Sequence, residues 1–348
     1  MHMADALISP QVGAVMWGAT AVTAAYCARK VRDEADERTV PLMGVAGAFV
    51  FAAQMLNFSI PGTGSSGHLG GGLILAVLLG PHAAFLVMTS ILGVQALFFG
   101  DGGLLALGAN IFNLGFFPAF VAFPLVWRTI VGDRPGPGRI LAGGITGALT
   151  GLLLGALGVV VQTAASGVSE LPLLTFAGVM LPIHLAIGLV EGLVTAGVVL
   201  FVFKAQPELL SAAADRGPAA HRTRRVVVGL LVAALLSGGV FAWFASSDPD
   251  GLEWSIARVT GAPEVDGESG SAIHESLADA QENTAFLPDY ALPTDGPSGA
   301  EPAGAKDAGP VAYGETSLAG IVGVVLVLGI AALTGFVLKR RAPAADRV

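Results

Sequence analysis

Residues 138–162 read GRILAGGITGALTGLLLGALGVVVQ. This stretch decides the fold class. It carries one charge, Arg139, at its start. A bilayer's hydrocarbon core needs about 20 consecutive apolar residues in a helix, against about 9–11 in a barrel strand. The run is too long and too uniformly apolar for a strand, so it reads as a transmembrane helix. Gly143, Gly147, Gly151 and Gly155 recur every four residues within it. Such a stripe of small residues lets a second helix approach closely. That helix belongs either to a separate coupling partner or to this same chain.

Working outward, similar runs occupy roughly 10–28, 40–57, 69–81, 83–99, 104–127, 178–203, 226–245 and 317–338. The whole chain is 53% hydrophobic and 13% charged over 348 residues, whereas soluble domains carry about 25% charged residues. The expected fold is an all-α polytopic membrane protein. Seven spans form a core over 1–203, and two further spans flank an outer segment. The run at 69–81 is short for a span and reads as tilted or partly re-entrant. A single cysteine, Cys27, excludes a disulfide framework or a cysteine metal cluster. A net charge of −8 gives no reason to expect a nucleic-acid partner.

Charge sets the orientation. The first apolar run is preceded by no Lys or Arg and followed by Arg29 and Lys30, unlike a cleavable signal peptide. With the N-terminus outside, 16 of the 18 basic residues fall on the inner side; only Arg258 and Lys306 remain outside. That asymmetry matches the positive-inside rule. It predicts a multi-pass protein of the cell membrane with an outer N-terminus and a cytoplasmic C-terminus. A basic linker at 204–225 joins the core to the two-span unit at 226–338, and a tail follows at 339–348. The outer segment at 246–316 is acidic, and 291–310 reads as a flexible linker.

The chain opens MHMADALISP. The amine of Met1, the amide nitrogen of His2 and the His2 ring Nδ1 can close a five- and a six-membered chelate ring on one ion. Three nitrogens in a plane, completed by another imidazole, suit Ni(II) or Cu(II) better than Zn, Mg or Ca. The competing reading is a solvated, mobile terminus. His68, in PGTGSSGHLGGG (61–72), is the candidate fourth nitrogen; its glycines permit tight turns. Ser65, Ser66 and Thr63 are expected to hold its ring, and the alternative is a loop histidine facing water. Asn110 and Asn113, one turn apart, are expected either to hold the N-terminal segment and His68 or to join helices. Asp101 reads as a cap for the helix that follows. His184 and Glu191 share a helical face within a span. They read as a buried pair, a contact to substrate, or a proton relay. His82 reads as a turn residue, and His221 and His274 as solvated.

MHMADALISPQVG, GTGSSGHLGGGLILAVLLGPHAA and VQALFFGDGGLLALGANIFNLG (94–115) resemble the CbiM/NikM family over about residues 1–203. These are substrate-binding components of energy-coupling-factor uptake systems for cobalt and nickel. DPDGLEW (248–254) resembles the PDGLE motif of a NikN-like two-span partner, often fused to that core. The resemblance implies a planar metal site on Met1, His2 and His68, and Ni2+ or Co2+ as cargo, with no intrinsic cofactor. It also implies a transmembrane coupling subunit and ATPase subunits as partners, because the chain has no GxxxxGK[ST] loop of its own. Met3-Ala4-Asp5 departs from the family's commoner continuation after His2. The reading is thus a lipid-embedded transport component, not an enzyme. A proton-coupled secondary transporter using His184 and Glu191 is the alternative.

Overall fold

The computed structural model describes residues 2–34, 39–168, 171–207, 220–263, 271–292 and 310–340. Met1, the greater part of the 204–225 linker, the stretch 293–309 and residues 341–348 of the tail lie outside the described residues.

The architecture is helical. In chain order the elements are α1 (Pro10–Glu34), α2 (Thr39–Gln54), a hairpin of β1 (Phe58–Ile60) and β2 (Ser65–Gly67), α3 (Gly72–Leu79) and α4 (Pro81–Phe99). Then follow α5 (Leu107–Val131), α6 (Pro137–Ser166) and α7 (Leu173–Ala205). The last are α8 (Ala220–Gly239), α9 (Gly251–Thr260), α10 (Ala272–Thr284) and α11 (Pro310–Arg340). Among the described residues five helices, α4 to α7 and α11, are long and apolar enough to cross a membrane.

Several expected spans differ in detail. The run at 69–81 yields α3, only 8 residues and therefore about 12 Å long. The backbone before it, 68–71, is not helical. Irregular backbone shut away from water needs protein groups as its partners, and here it has them. Glu191 of α7 accepts the N–H groups of Gly70 and Gly71, each at 3.0 Å. Gln54 Nε2 donates to the Gly70 carbonyl at 2.9 Å, and Gln95 Nε2 supports Gln54 Oε1 at 2.9 Å. Gly71 sits at φ +74°, in the left-handed region.

Across Phe112–Trp127, α5 is π-wound and contains Pro118 and Pro124. Proline removes an amide donor from the helical ladder, and such widened turns frequently mark functional regions.

The glycine stripe of α6 faces inward. A Cβ on Gly143 would meet Trp127 and Val131, one on Gly147 would meet Leu73, and one on Gly151 would meet Pro118. Gly155 is buried with them. The stripe therefore seats α6 on the chain's own α3 and α5. Of the two helix partners the sequence allows for this stripe, the structure shows the internal one, and these glycines do not form an open docking face.

The two-span unit is not a detached appendage. Both α8 and α11 pack on α2. This explains why α2 is apolar nearly all round and buried from Leu42 to Gln54. Gly238 and Gly320 lie in direct contact where α8 crosses α11. Trp243 Nε1 also donates to Ser317 Oγ at 2.7 Å.

Candidate metal centre

The residues singled out at the amino terminus and in the 61–72 loop meet at one end of the helix bundle. The N-terminal segment is fastened there in three places. Met3 N–H donates to Asn110 Oδ1 at 2.8 Å, and Asn110 Nδ2 donates back to Met3 O at 3.1 Å. Gly103 N–H adds a bond to Met3 O at 2.9 Å. Asp5 Oδ1 accepts from Ala106 N–H at 2.9 Å. Asp5 thus supports the turn entering α5, a role the sequence suggested for Asp101. Met3, Leu7 and Ile8 are buried in the main core, so the terminus is packed rather than solvated.

This anchoring places His2 beside His68. Their rings stack with centroids 5.2 Å apart and planes 3° from parallel. Asp101 closes the other side of His2. Its Oδ1 lies 3.1 Å from His2 Nδ1, and its Oδ2 accepts from the Tyr290 hydroxyl at 2.6 Å. Burial alone raises a carboxyl pKa. The His2 charge and the hydrogen bonds from His2 and Tyr290 outweigh it and hold Asp101 below the usual carboxylate range. Burial, reinforced by the same contact, pushes Tyr290 well above its ordinary value. His2 Nε2 is buried without a hydrogen-bond partner.

His68 reaches this point because the hairpin and the loop after it are held from both sides. Its Nδ1 lies 3.2 Å from the Leu69 carbonyl. Burial holds the ring below the ordinary imidazole range, favouring the neutral form. Nε2 lies 3.7 Å from Asp250 Oδ2.

Asp250 belongs to the PDGLE motif, which forms the start of α9. Its Oδ1 accepts from Leu252 N–H at 2.8 Å and Glu253 N–H at 2.9 Å, and Glu253 Oε2 accepts from Asp250 N–H at 2.9 Å. This is a capping box, satisfying amides at the helix start. The motif docks directly on the His68 hairpin. Ser66 N–H donates to Pro249 O at 2.8 Å, Ser66 Oγ to Asp248 O at 2.7 Å, and Trp254 Nε1 to Thr63 O at 3.0 Å. Ser65 Oγ bonds the Ser66 carbonyl at 3.0 Å and reaches Pro249 O at 3.4 Å. The two serines therefore hold the backbone of the PDGLE motif and not the His68 ring.

Other expectations resolve differently. Asn113 exchanges amide bonds with Gln162 at 2.8 and 3.0 Å, joining α5 to α6. His184 and Glu191 do not form a pair: His184 Nδ1 bonds the Met180 carbonyl at 2.8 Å, while Glu191 clamps Gly70 and Gly71. His274 is not solvated. Its Nε2 lies 3.2 Å from the carbonyls of both Asp5 and Ile8. Gln281 of the same helix donates to Ala96 O and Gly102 O at 2.9 and 2.7 Å. The outer segment thus folds over the N-terminal segment. Nothing in its acidic, linker-like sequence pointed to that clasp.

Residues 2–209 match the family described as the cobalt uptake substrate-specific transmembrane region, and residues 224–340 match the PDGLE domain. A putative fused nickel transport protein NikMN of Archaeoglobus fulgidus is 32% identical, covering 98% of this chain and 99% of that one. The fused nickel transport protein NikMN of Rhodobacter capsulatus is 33% identical over 95% and 97%, respectively. A crystal structure described as a transition metal transporter superposes with a TM-score of 0.53 at 33% identity, covering 62% of this chain and all of its own.

Proposed function

The chain belongs to the CbiM family of cobalt/nickel transport membrane components, and on that premise we propose that it captures Ni2+ or Co2+ through its N-terminus. The donors are the amine and amide nitrogens at Met1–His2, the His2 imidazole and His68. The observation that carries this reading is the stacked pair His2–His68, brought together from 66 positions apart with parallel planes at 5.2 Å. Two parallel imidazoles side by side present their nitrogens to one ion as neighbouring corners of a square plane, the geometry Ni(II) favours. His2 Nδ1 exchanges Asp101 for the ion, and Asp101 keeps Tyr290.

We further propose that capture faces the outside and that energy comes from separate coupling and ATPase subunits. The charge asymmetry of the sequence supports the orientation. The hydrogen bonds of His184 and Glu191 to backbone groups give a structural role to both side chains of the proton-relay alternative.

The test is metal titration of purified protein. His2→Gln keeps a large second residue and removes the ring. Inserting two glutamines between Met1 and His2 keeps the ring and moves the amine away; a single inserted residue would build another tight chelate through a second amide. Both changes should lower Ni2+ affinity by more than the roughly 10–100-fold seen when only a ligand's supporting residue is lost. Unchanged affinity in either protein would overturn the terminal site. Uptake that persists in cells without ATPase subunits would overturn the proposed energy source.

A further inference from the structure

A groove of about 470 Å³ lies between α1, α4, the turn entering α5, and α10. Small-molecule sites span about 300–1,000 Å³. Its lining is apolar throughout, with Trp17, Leu97, Leu104, Leu107, Ile273 and Leu277 among the residues that form it. The single polar atom among these side chains, Trp17 Nε1, is committed to the Leu104 carbonyl at 3.0 Å. A water molecule in the groove would find no side-chain partner, and buried water needs two to four polar partners.

The groove is open at its side. Trp17, Leu97 and Ile273 are 40%, 37% and 51% exposed. Its rim continues along α1 through Val15 and Val22, which are more exposed still. The outer face of a membrane bundle meets lipid tails, which are as apolar as leucine, so the groove is continuous with the lipid boundary. Above it, α10 turns Ile273 and Leu277 to the groove and leaves Glu275, Asp279 and Glu282 exposed. An apolar stripe beneath a charged face is the pattern of a helix lying in the membrane interface. Charge narrows the occupant further. No Lys or Arg occurs in 10–28, in 81–107 or between Arg258 and Lys306. An anionic headgroup would meet the α10 carboxylates with no basic side chain to offset them.

We propose that this groove is a lipid site: one acyl chain of a phospholipid without net negative charge lies in it, beneath α10. The outer clasp then rests on lipid along one side. On the other it holds the N-terminal segment, through His274. The site is independent of metal capture, and its failure would leave that reading untouched.

The probe is a phosphatidylcholine with a photoactivatable group in one acyl chain, present in trace amount in nanodiscs that hold the full-length protein. After illumination, labelled peptides are mapped by mass spectrometry. Label should concentrate on 10–17 and 272–284, above the level on 18–28, where α1 faces lipid without a groove. Ala14→Trp fills the groove from α1 and should abolish the excess, whereas Val22→Trp should leave it in place. Should Ala14→Trp fail to fold, Leu277→Trp fills the groove from α10 and should give the same loss. Label spread evenly along α1, or an excess that survives in both folded groove variants, is the ordinary lipid annulus and overturns the site. A phosphatidylglycerol probe of the same chain length that labels the groove as strongly overturns the choice of headgroup.

Discussion

Glu191→Gln tests how a buried carboxylate serves an ion it need not touch. Glu191 is 3% exposed and receives two amides, Gly70 and Gly71, each at 3.0 Å. A glutamine has one acceptor oxygen; its NH2 would face the other amide, donor against donor. One buried N–H is thereby stranded, at about 1–3 kcal/mol. The loop that loses this anchor carries His68 two residues away. An ion must then restore the loop before His68 can bind, so the loss appears as a reduced competent fraction and a weaker apparent affinity. A coupling of about 1–3 kcal/mol corresponds to roughly a 5–150-fold loss. Calorimetric titration of Ni2+ into purified protein measures it. Gln162→Ala is the control, since it breaks the Asn113 amide pair and should lower thermal stability without touching affinity. A Glu191→Gln protein that folds and binds Ni2+ within about twofold of the unaltered chain would refute the clamp, since the expected minimum is about 1 kcal/mol.

Asn110→Ala removes both bonds to the Met3 backbone and should weaken Ni2+ binding about 10–100-fold, read by the same titration; Asn110→Asp keeps the acceptor for Met3 N–H and should recover part of it. Tyr290→Phe loses the hydroxyl bond to Asp101 and should loosen the outer clasp by about 0.5–1.5 kcal/mol. Faster amide exchange in 271–292, with the core helices unchanged, is the expected signal. Acid should destabilise the fold through His68. Its folded pKa lies below the unfolded value of about 6.5, so the unfolded chain binds the proton first and stability falls as pH drops through that value. His68→Gln should flatten the decline in melting temperature below about pH 6.5, and an unaltered slope would count against a neutral buried ring.

Long apolar runs declare themselves because a bilayer imposes a length and tolerates few charges, so the helical class was legible from residues 138–162 alone. His2 and His68 were equally legible as candidates: imidazoles near an amine and in a glycine-rich loop are unusual enough to single out. The span count was less secure. The run at 69–81 has the hydropathy of a span and the length of a half-helix, and only the carboxylate and amides beneath its loop explain how bare backbone rests there.

Partnership was not legible. Asp101, Tyr290 and Asp250 lie 99, 288 and 248 positions from His2, and no periodicity links residues so far apart. Asp101 has the local signature of a helix cap, Glu191 that of a titrating relay, and His274 that of a solvated surface. Tertiary packing reassigned each by placing a particular backbone or side-chain group opposite it. The sequence by itself determined that this chain is a bundle of membrane helices with two exceptional histidines, because length, hydropathy and charge act locally. The tertiary structure alone decided which buried polar group answers which, because that pairing depends on how helices and loops distant in sequence come to rest against one another.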